Sequence, residues 1–196
     1  MRQPAATKAN ILKHSGQLFN TQGYKATSIS DITKATKLTK GAIYRHFKSK
    51  DELEMKALLH LTETMFGAMR DQIKKQHTAP KKLKAIFGYF ESYISNPPVK
   101  GGCPLLNVST EVDDAHPALR KQAVAVLDVL RDAIITVLKN GVRHGQLKRS
   151  IKPEYHASII IGTLEGAIMM SKLRGDNRDM RMAIHHLEEM VNRITI

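Results

Sequence analysis

Residues 24–53 read YKATSISDITKATKLTKGAIYRHFKSKDEL, and the spacing of their capping and apolar residues decides the fold. Ser28 and Asp31 stand three apart, the reciprocal pattern in which a hydroxyl and an acidic side chain satisfy the free amides that open a helix. Behind them Ile29 and Ile32 share a face, so the pattern predicts a short helix running to Ala35. Thr39 caps a second short segment, KGAIYRHF, and Ser49 with Glu52 forms another box that opens a longer helix through Leu53, Ala57, Leu61, Met65, Met69 and Ile73. Upstream, Thr7 is a plausible N-cap for a helix whose Ile11, Leu12, Leu18 and Phe19 make one apolar face and which stops before Gly23. Two short helices joined by a tight turn, behind one helix and before a longer one, form a helix-turn-helix arrangement.

Outward from this stretch the chain stays helical. The seven prolines, at 4, 80, 97, 98, 104, 117 and 153, each stand where a helix starts or a connection runs. They predict helices at about 80–95, 104–114, 117–143, 153–173 and 177–194, and no alternating run bounded by a hairpin turn suggests a strand. The expected fold is all-α with about nine helices: a three-helix helix-turn-helix head over residues 1–48 and a larger helical bundle over 49–196. The helix after Pro117 carries Leu119, Ala123, Val126, Leu130, Ile134, Val137 and Leu138, and the last helix carries Met180, Ala183, Ile184, Leu187, Met190, Val191 and Ile194. Either stripe reads first as core and second as a partner surface.

With 196 residues and 42% hydrophobic content the chain can bury a real core. Its most apolar stretch, residues 157–171, is interrupted by Glu165, so no membrane span is expected. The first ten residues lack the apolar segment of a secretory signal, and one cysteine forms no internal disulfide, so a cytoplasmic location is expected. The net charge of +13 points to an anionic partner. That charge is concentrated early, with eleven Lys and Arg against four Asp and Glu in the first 60 residues.

Residues 24–53 resemble the DNA-binding region of the TetR family of transcriptional repressors. An ordered pattern carries the resemblance: Ile29 and Ile32 of the scaffold helix, Thr39-Lys40-Gly41, Ile43-Tyr44, His46-Phe47, then Lys50 with Glu52-Leu53. It implies DNA contacts at Thr27, Thr39, Lys40, Gly41, Ala42, Tyr44, His46 and Lys50. The residue chemistry agrees, because a recognition helix needs small or polar residues where it meets base edges, and Lys40, Gly41 and Ala42 supply them. Lys40 suits a guanine edge or a phosphate. Tyr44 and His46 suit phosphate, while Ile43 and Phe47 face the small core. Thr27 and Ser28 sit where the scaffold helix's N-terminal amides favour phosphate, as does Lys50 at the start of the fourth helix. Where the family carries glycine in the turn, this chain has Lys37, which in a left-handed conformation costs about 1 kcal/mol relative to glycine. Lys37 reads either as a phosphate contact or as a solvated turn lysine.

The resemblance also implies a homodimer on a palindromic operator, with a small-molecule effector in the helical domain releasing the DNA by moving the fourth helix. Met65, Phe66 and Met69 are then candidate pocket walls, opposite Phe87, Phe90 and Tyr93. The segment GGCPLLNVSTEV, residues 101–112, resembles a branch of the family in which a Gly-Cys pair opens the sixth helix and some members sense electrophiles. For Cys103 a helix-activated thiol and a buried inert one are both open readings. Asn107 and Glu111, four apart on one helix, can place polar groups in an apolar pocket, and Glu111 reads equally as surface. The eighth and ninth helices read as the dimer surface: Gly162 and Gly166 permit close approach, and the 180–194 stripe supplies apolar area, with intrachain packing as its alternative.

An enzyme is the rival class. The chain has no HExxH, GxSxG, Walker loop or GxGxxG, its nine histidines form no ligand spacing, and neither a metal nor a cofactor is expected. A nonspecific nucleoid-type nucleic-acid-binding protein shares the charge but not the long apolar helices. The lysines at 74, 75, 81, 82 and 84 read as solvated rather than as a membrane-surface helix.

Overall fold

The protein, seen in a computed structural model, is described over residues 4–112 and 116–196, apart from the side chain of Ile94. Among the described residues there are nine helices: α1 (Pro4–Gln22), α2 (Ile29–Thr36), α3 (Lys40–Tyr44), α4 (Lys50–Lys74), α5 (Ala79–Ser95), α6 (Pro104–Val112), α7 (Pro117–Arg143), α8 (Pro153–Arg174) and α9 (Arg178–Ile194). The only extended pairing among them is one antiparallel bridge between Leu147 and Thr195. The fold is all-α, as expected.

Proline at the first helical turn accounts for several starts, since its missing amide is one that a helix leaves unpaired there anyway. This holds for α1, α5, α6, α7 and α8. It also corrects the start of α1, which opens at Pro4 rather than near Thr7. The end expected for α6 at residue 114 lies outside the described residues. The third helix is shorter than the KGAIYRHF segment suggested. It closes at Tyr44, and the amides of His46 and Phe47 both donate to the Ile43 carbonyl, at 2.9 and 3.2 Å. This tightened turn carries Phe47 into the core, and it places His46 after the helix rather than on it.

Contacts group the chain into two compact units, residues 1–65 with 99–126 and residues 66–98 with 127–196. The grouping does not follow the division expected at 48/49, because α4 up to Met65 and residues 99–126 pack with the head. In the first unit α1 packs on α2 and α6, and α2 on α3. Ile11, Phe19, Ile32, Ile43, Phe47, Leu53 and Leu58 are its buried anchors, each contributing about 1.5–3 kcal/mol by leaving water. In the second unit α5 packs on α8 and α9, and α8 on α9. Met180, Leu187 and Val191 are fully buried there, so this part of the last helix's apolar stripe is used within the chain. Those residues follow the intrachain alternative, in which the buried face of an amphipathic helix is covered by its own neighbours, whereas Ala183, Ile184 and Ile194 of the same stripe are half-buried.

Candidate nucleic-acid interface

The head is built from caps. Ser28 accepts from the Asp31 amide at 3.2 Å, and the Asp31 carboxylate accepts from the Ser28 amide at 2.9 Å and hydroxyl at 2.6 Å. These bonds from Ser28 hold the Asp31 carboxyl below its ordinary range. At the end of α2, Lys37 adopts φ 57 and ψ 34, the only positive φ at a non-glycine among the described residues. Thr39 then caps α3, its hydroxyl accepting from the Ala42 amide at 3.2 Å. Ala42 and Ile43 point into the core, which leaves Lys40, Gly41 and Tyr44 on the outer face of α3. The Lys40 ammonium lies 5.9 Å from the centre of the Tyr44 ring. A β-carbon built on Gly41 would meet nothing within 4 Å, so no intrachain packing requires a glycine there.

The expected DNA contacts divide by where their polar atoms go. Lys37, Thr39, Lys40, Gly41 and Tyr44 are exposed and His46 is half-buried. Thr27 is buried, with its hydroxyl donating to the Gly23 carbonyl at 2.7 Å. The Ser28 hydroxyl is engaged in the cap. Lys50 turns inward: its ammonium donates to the Tyr24 carbonyl at 2.8 Å and pairs with Glu54 at 3.1 Å. Ala42 contributes backbone and little surface. Arg45, which no motif marked, is exposed directly after Tyr44. Only its place in the early charge excess could have pointed to it.

The sixth helix grips the head. The Glu111 carboxylate accepts from the amides of Tyr24 at 2.8 Å and Lys25 at 3.3 Å, just before the α2 cap. Gly23, at φ +97, lies against this carboxylate, and a β-carbon there would stand 2.9 Å from it. The Asn107 amide donates to Asn20 at its carbonyl (3.1 Å) and side-chain oxygen (2.9 Å), and to the Gly101 carbonyl at 3.0 Å. Asn20 in turn donates to the carbonyls of Lys100 and Gly102. A β-carbon on Gly101, at φ +102, would collide with the Asn20 carbonyl.

Of the nine expected effector residues, Phe66, Met69, Phe87, Phe90 and Tyr93 are buried in the second unit. Phe90 and Tyr93 stack there with centres 5.8 Å apart. Met65, Cys103, Asn107 and Glu111 belong to the first unit, where Met65 and Cys103 are buried and the polar groups of Asn107 and Glu111 serve the α1 and α2 junctions.

On α8, Tyr155, Ile159, Gly162, Gly166, Met169 and Leu173 succeed one another at spacings of four and three. Leu173 is 81% and Tyr155 61% exposed, and β-carbons on the two glycines would meet nothing within 4 Å. Among the described residues, no helix is long and apolar enough to cross a membrane.

Residues 11–54 match the family described as "Bacterial regulatory proteins, tetR family", and residues 79–187, more than half of the chain, match "Tetracyclin repressor-like, C-terminal domain". A TetR transcriptional regulator from Chloroflexus aurantiacus J-10-FL is 33% identical, with a TM-score of 0.95 over 100% of this chain and 98% of that one. The HTH-type transcriptional regulator TtgR of Pseudomonas putida is 26% identical over 176 residues, 89% of this chain and 84% of the relative. The TetR family regulator CifR, solved as a cysteine-substituted form with 26-base-pair operator DNA, shares the fold at a TM-score of 0.84 and 17% identity, over 92% of this chain and 94% of that one. With its capped helix-turn-helix and its all-helical body, the chain belongs to the TetR family of bacterial transcriptional regulators.

Proposed function

We propose that the protein is a dimeric repressor that reads a palindromic operator and is released by a small molecule. The observation that carries the reading is the outer face of α3: Lys40, Gly41 and Tyr44 presented together on a helix whose inward residues, Ala42 and Ile43, lock it to the core. Gly41 leaves the backbone open to a base edge, Lys40 suits guanine or phosphate, and Tyr44, Arg45 and Lys37 suit the flanking phosphates. A dimer sets two such faces one helical turn of DNA apart, roughly 34 Å. The exposed α8 stripe with its two open glycines, together with the outer face of α9, is the surface we assign to that dimer.

For the effector we propose the aromatic and methionine cluster of Phe66, Met69, Phe87, Phe90 and Tyr93, which suits an apolar or cationic molecule. Asn107 and Glu111 then act on the head, since their hydrogen bonds run to α1 and to the segment before α2. A shift of α6 would loosen the α2 cap and the presentation of α3.

The test is selection from random duplex DNA at about 0.15 M salt, followed by sequencing of what is retained. An enriched palindrome supports the dimeric repressor and leads to the neighbouring genes. Equal retention of every sequence would overturn it in favour of nonspecific, nucleoid-type binding.

A further inference from the structure

A second cluster of chemistry lies in the first unit, apart from the α3 face. Asp51 and Glu54 stand three apart on α4, and His116 stands just before α7. The His116 Nε2 atom lies 3.1 Å from Glu54 Oε2 and 3.8 Å from Asp51 Oδ1, and one donor atom from each of the three residues fits within 4.8 Å of the others. Donor atoms bound to a common first-row ion at about 2.0–2.2 Å stand about 3.0–3.5 Å apart, so only the exposed Asp51 side chain has to move to complete the set. Beside them is a cavity of about 290 Å³ whose lining includes Tyr24, Lys50, Asp51, Glu54, Glu111 and His116.

Two features point to a ligand rather than a closed ion-pair network. Tyr24 is 3% exposed and lines this cavity, yet its buried hydroxyl has no hydrogen-bond partner. Such a group costs free energy unless something supplies the missing bond. In addition, Glu54 is 3% exposed and shares its surroundings with the Asp51 and Glu111 carboxylates, so acidic groups outnumber the ammonium groups of Lys25 and Lys50 around the cavity. An entering cation relieves that imbalance.

We propose that Asp51, Glu54 and His116 form a binding site for a divalent first-row transition-metal ion, with the Tyr24 hydroxyl available to a metal-bound water. One imidazole and two carboxylates are the donors that suit such ions. Two internal partners compete with the ion and set its affinity. Lys50 holds Glu54 Oε1 at 3.1 Å. The His116 Nδ1 atom accepts from the Leu119 amide at 3.2 Å, which puts the imidazole proton on Nε2, facing Glu54. Metal at Nε2 moves that proton to Nδ1, so the Leu119 amide loses its acceptor and the first turn of α7 loses its cap. These competing partners weaken the site, and metal binding at Nε2 is felt at the start of α7 through the Leu119 amide.

The test is isothermal titration of metal-free full-length protein with zinc chloride, without DNA, which keeps it independent of the operator reading. We expect one zinc per chain, weakened at least about tenfold by Asp51→Asn and by His116→Ala and tightened by Lys50→Met. Asp51 is exposed, so its variant keeps the fold and the test stays decisive where His116→Ala costs stability. His185→Ala serves as the control, because His185 lies 3.5 Å from Glu189 on the surface of α9, and zinc binding should survive it. No saturable binding up to about 1 mM zinc, or binding that Asp51→Asn leaves unchanged, would overturn the assignment.

Discussion

Lys37 offers a test in which backbone conformation and charge can be separated. It holds φ 57 at the C-cap of α2, where any residue with a β-carbon costs about 1–2 kcal/mol. Glycine removes that strain but gives back part of the gain, about 0.5–1 kcal/mol, through the greater freedom of its unfolded chain. The pair to compare is Lys37→Ala and Lys37→Gly. Alanine deletes the charge and keeps the strain, so its stability should stay within about 0.5 kcal/mol of the parent, as for an exposed substitution. Glycine should then exceed alanine by about 0.5–1 kcal/mol, a rise of about 1–4 °C in melting temperature for a chain of this size. The assay is thermal unfolding followed by circular dichroism, together with operator titrations across a salt series. If Lys37 touches phosphate, both variants should lower the salt slope by about 0.9 equally. A glycine variant no more stable than the alanine one would refute the strain argument, and unchanged salt slopes would leave Lys37 a solvated turn residue.

Lys40→Ala should weaken operator binding by about 1–3 kcal/mol, the scale of one specific contact, measured by fluorescence anisotropy. Gly41→Ala has room for its methyl group, so the helix should gain up to about 1 kcal/mol while affinity for operator falls; equal affinity would remove Gly41 from the DNA surface. For Asp31→Asn, the native carboxyl is held low by Ser28, so the parent's advantage in unfolding should be complete above the ordinary carboxylate value, about 4. It should fade as pH drops through the lowered native value, and a pH-independent difference would rule out the charged cap. If α8 forms the proposed dimer seam, Leu173→Lys, at a residue 81% exposed in the single chain, brings two like charges together there, and analytical ultracentrifugation should find monomers; an unchanged dimer would move the seam elsewhere.

Much of the fold could be read because punctuation residues act locally. Proline at a first turn, Gly23 after α1 and the Ser28–Asp31 box each determine a boundary through neighbours within four residues. The length of α3 escaped because Ile43, His46 and Phe47 are all compatible with helix, and only burial of Phe47 decides that the chain must turn. The recognition face was legible in outline for a similar reason: it is one helix read at its own period. Lys50 and Thr27 were not, since what uses up their polar atoms, Glu54, Tyr24 and Gly23, becomes apparent only once the chain has folded. Glu111 was seen as a pocket or surface residue, and nothing at its spacing from Asn107 reveals that it reaches amides 86 and 87 positions earlier. The Asp51, Glu54 and His116 cluster spans an equally silent gap, which is why histidine spacing showed no ligand set.

The bonds from Asn107 to Asn20 and from Glu111 to Tyr24 also impose an order on synthesis. Tyr24 is made 87 residues before the carboxylate that holds its amide, a wait of about 4–17 s at bacterial elongation speeds. During that time the amides before α2 have only water, and Asn20 lacks the carbonyls of its loop. A nascent head therefore forms its helices early and acquires its final clasp late, after residues 99–126 arrive. Released fragments ending at 98 should be cut readily by protease between α1 and α2, whereas fragments carried through 126 should resist. The clasp from residues 99–126 thus makes the stability of the head depend on chain made well after the head itself.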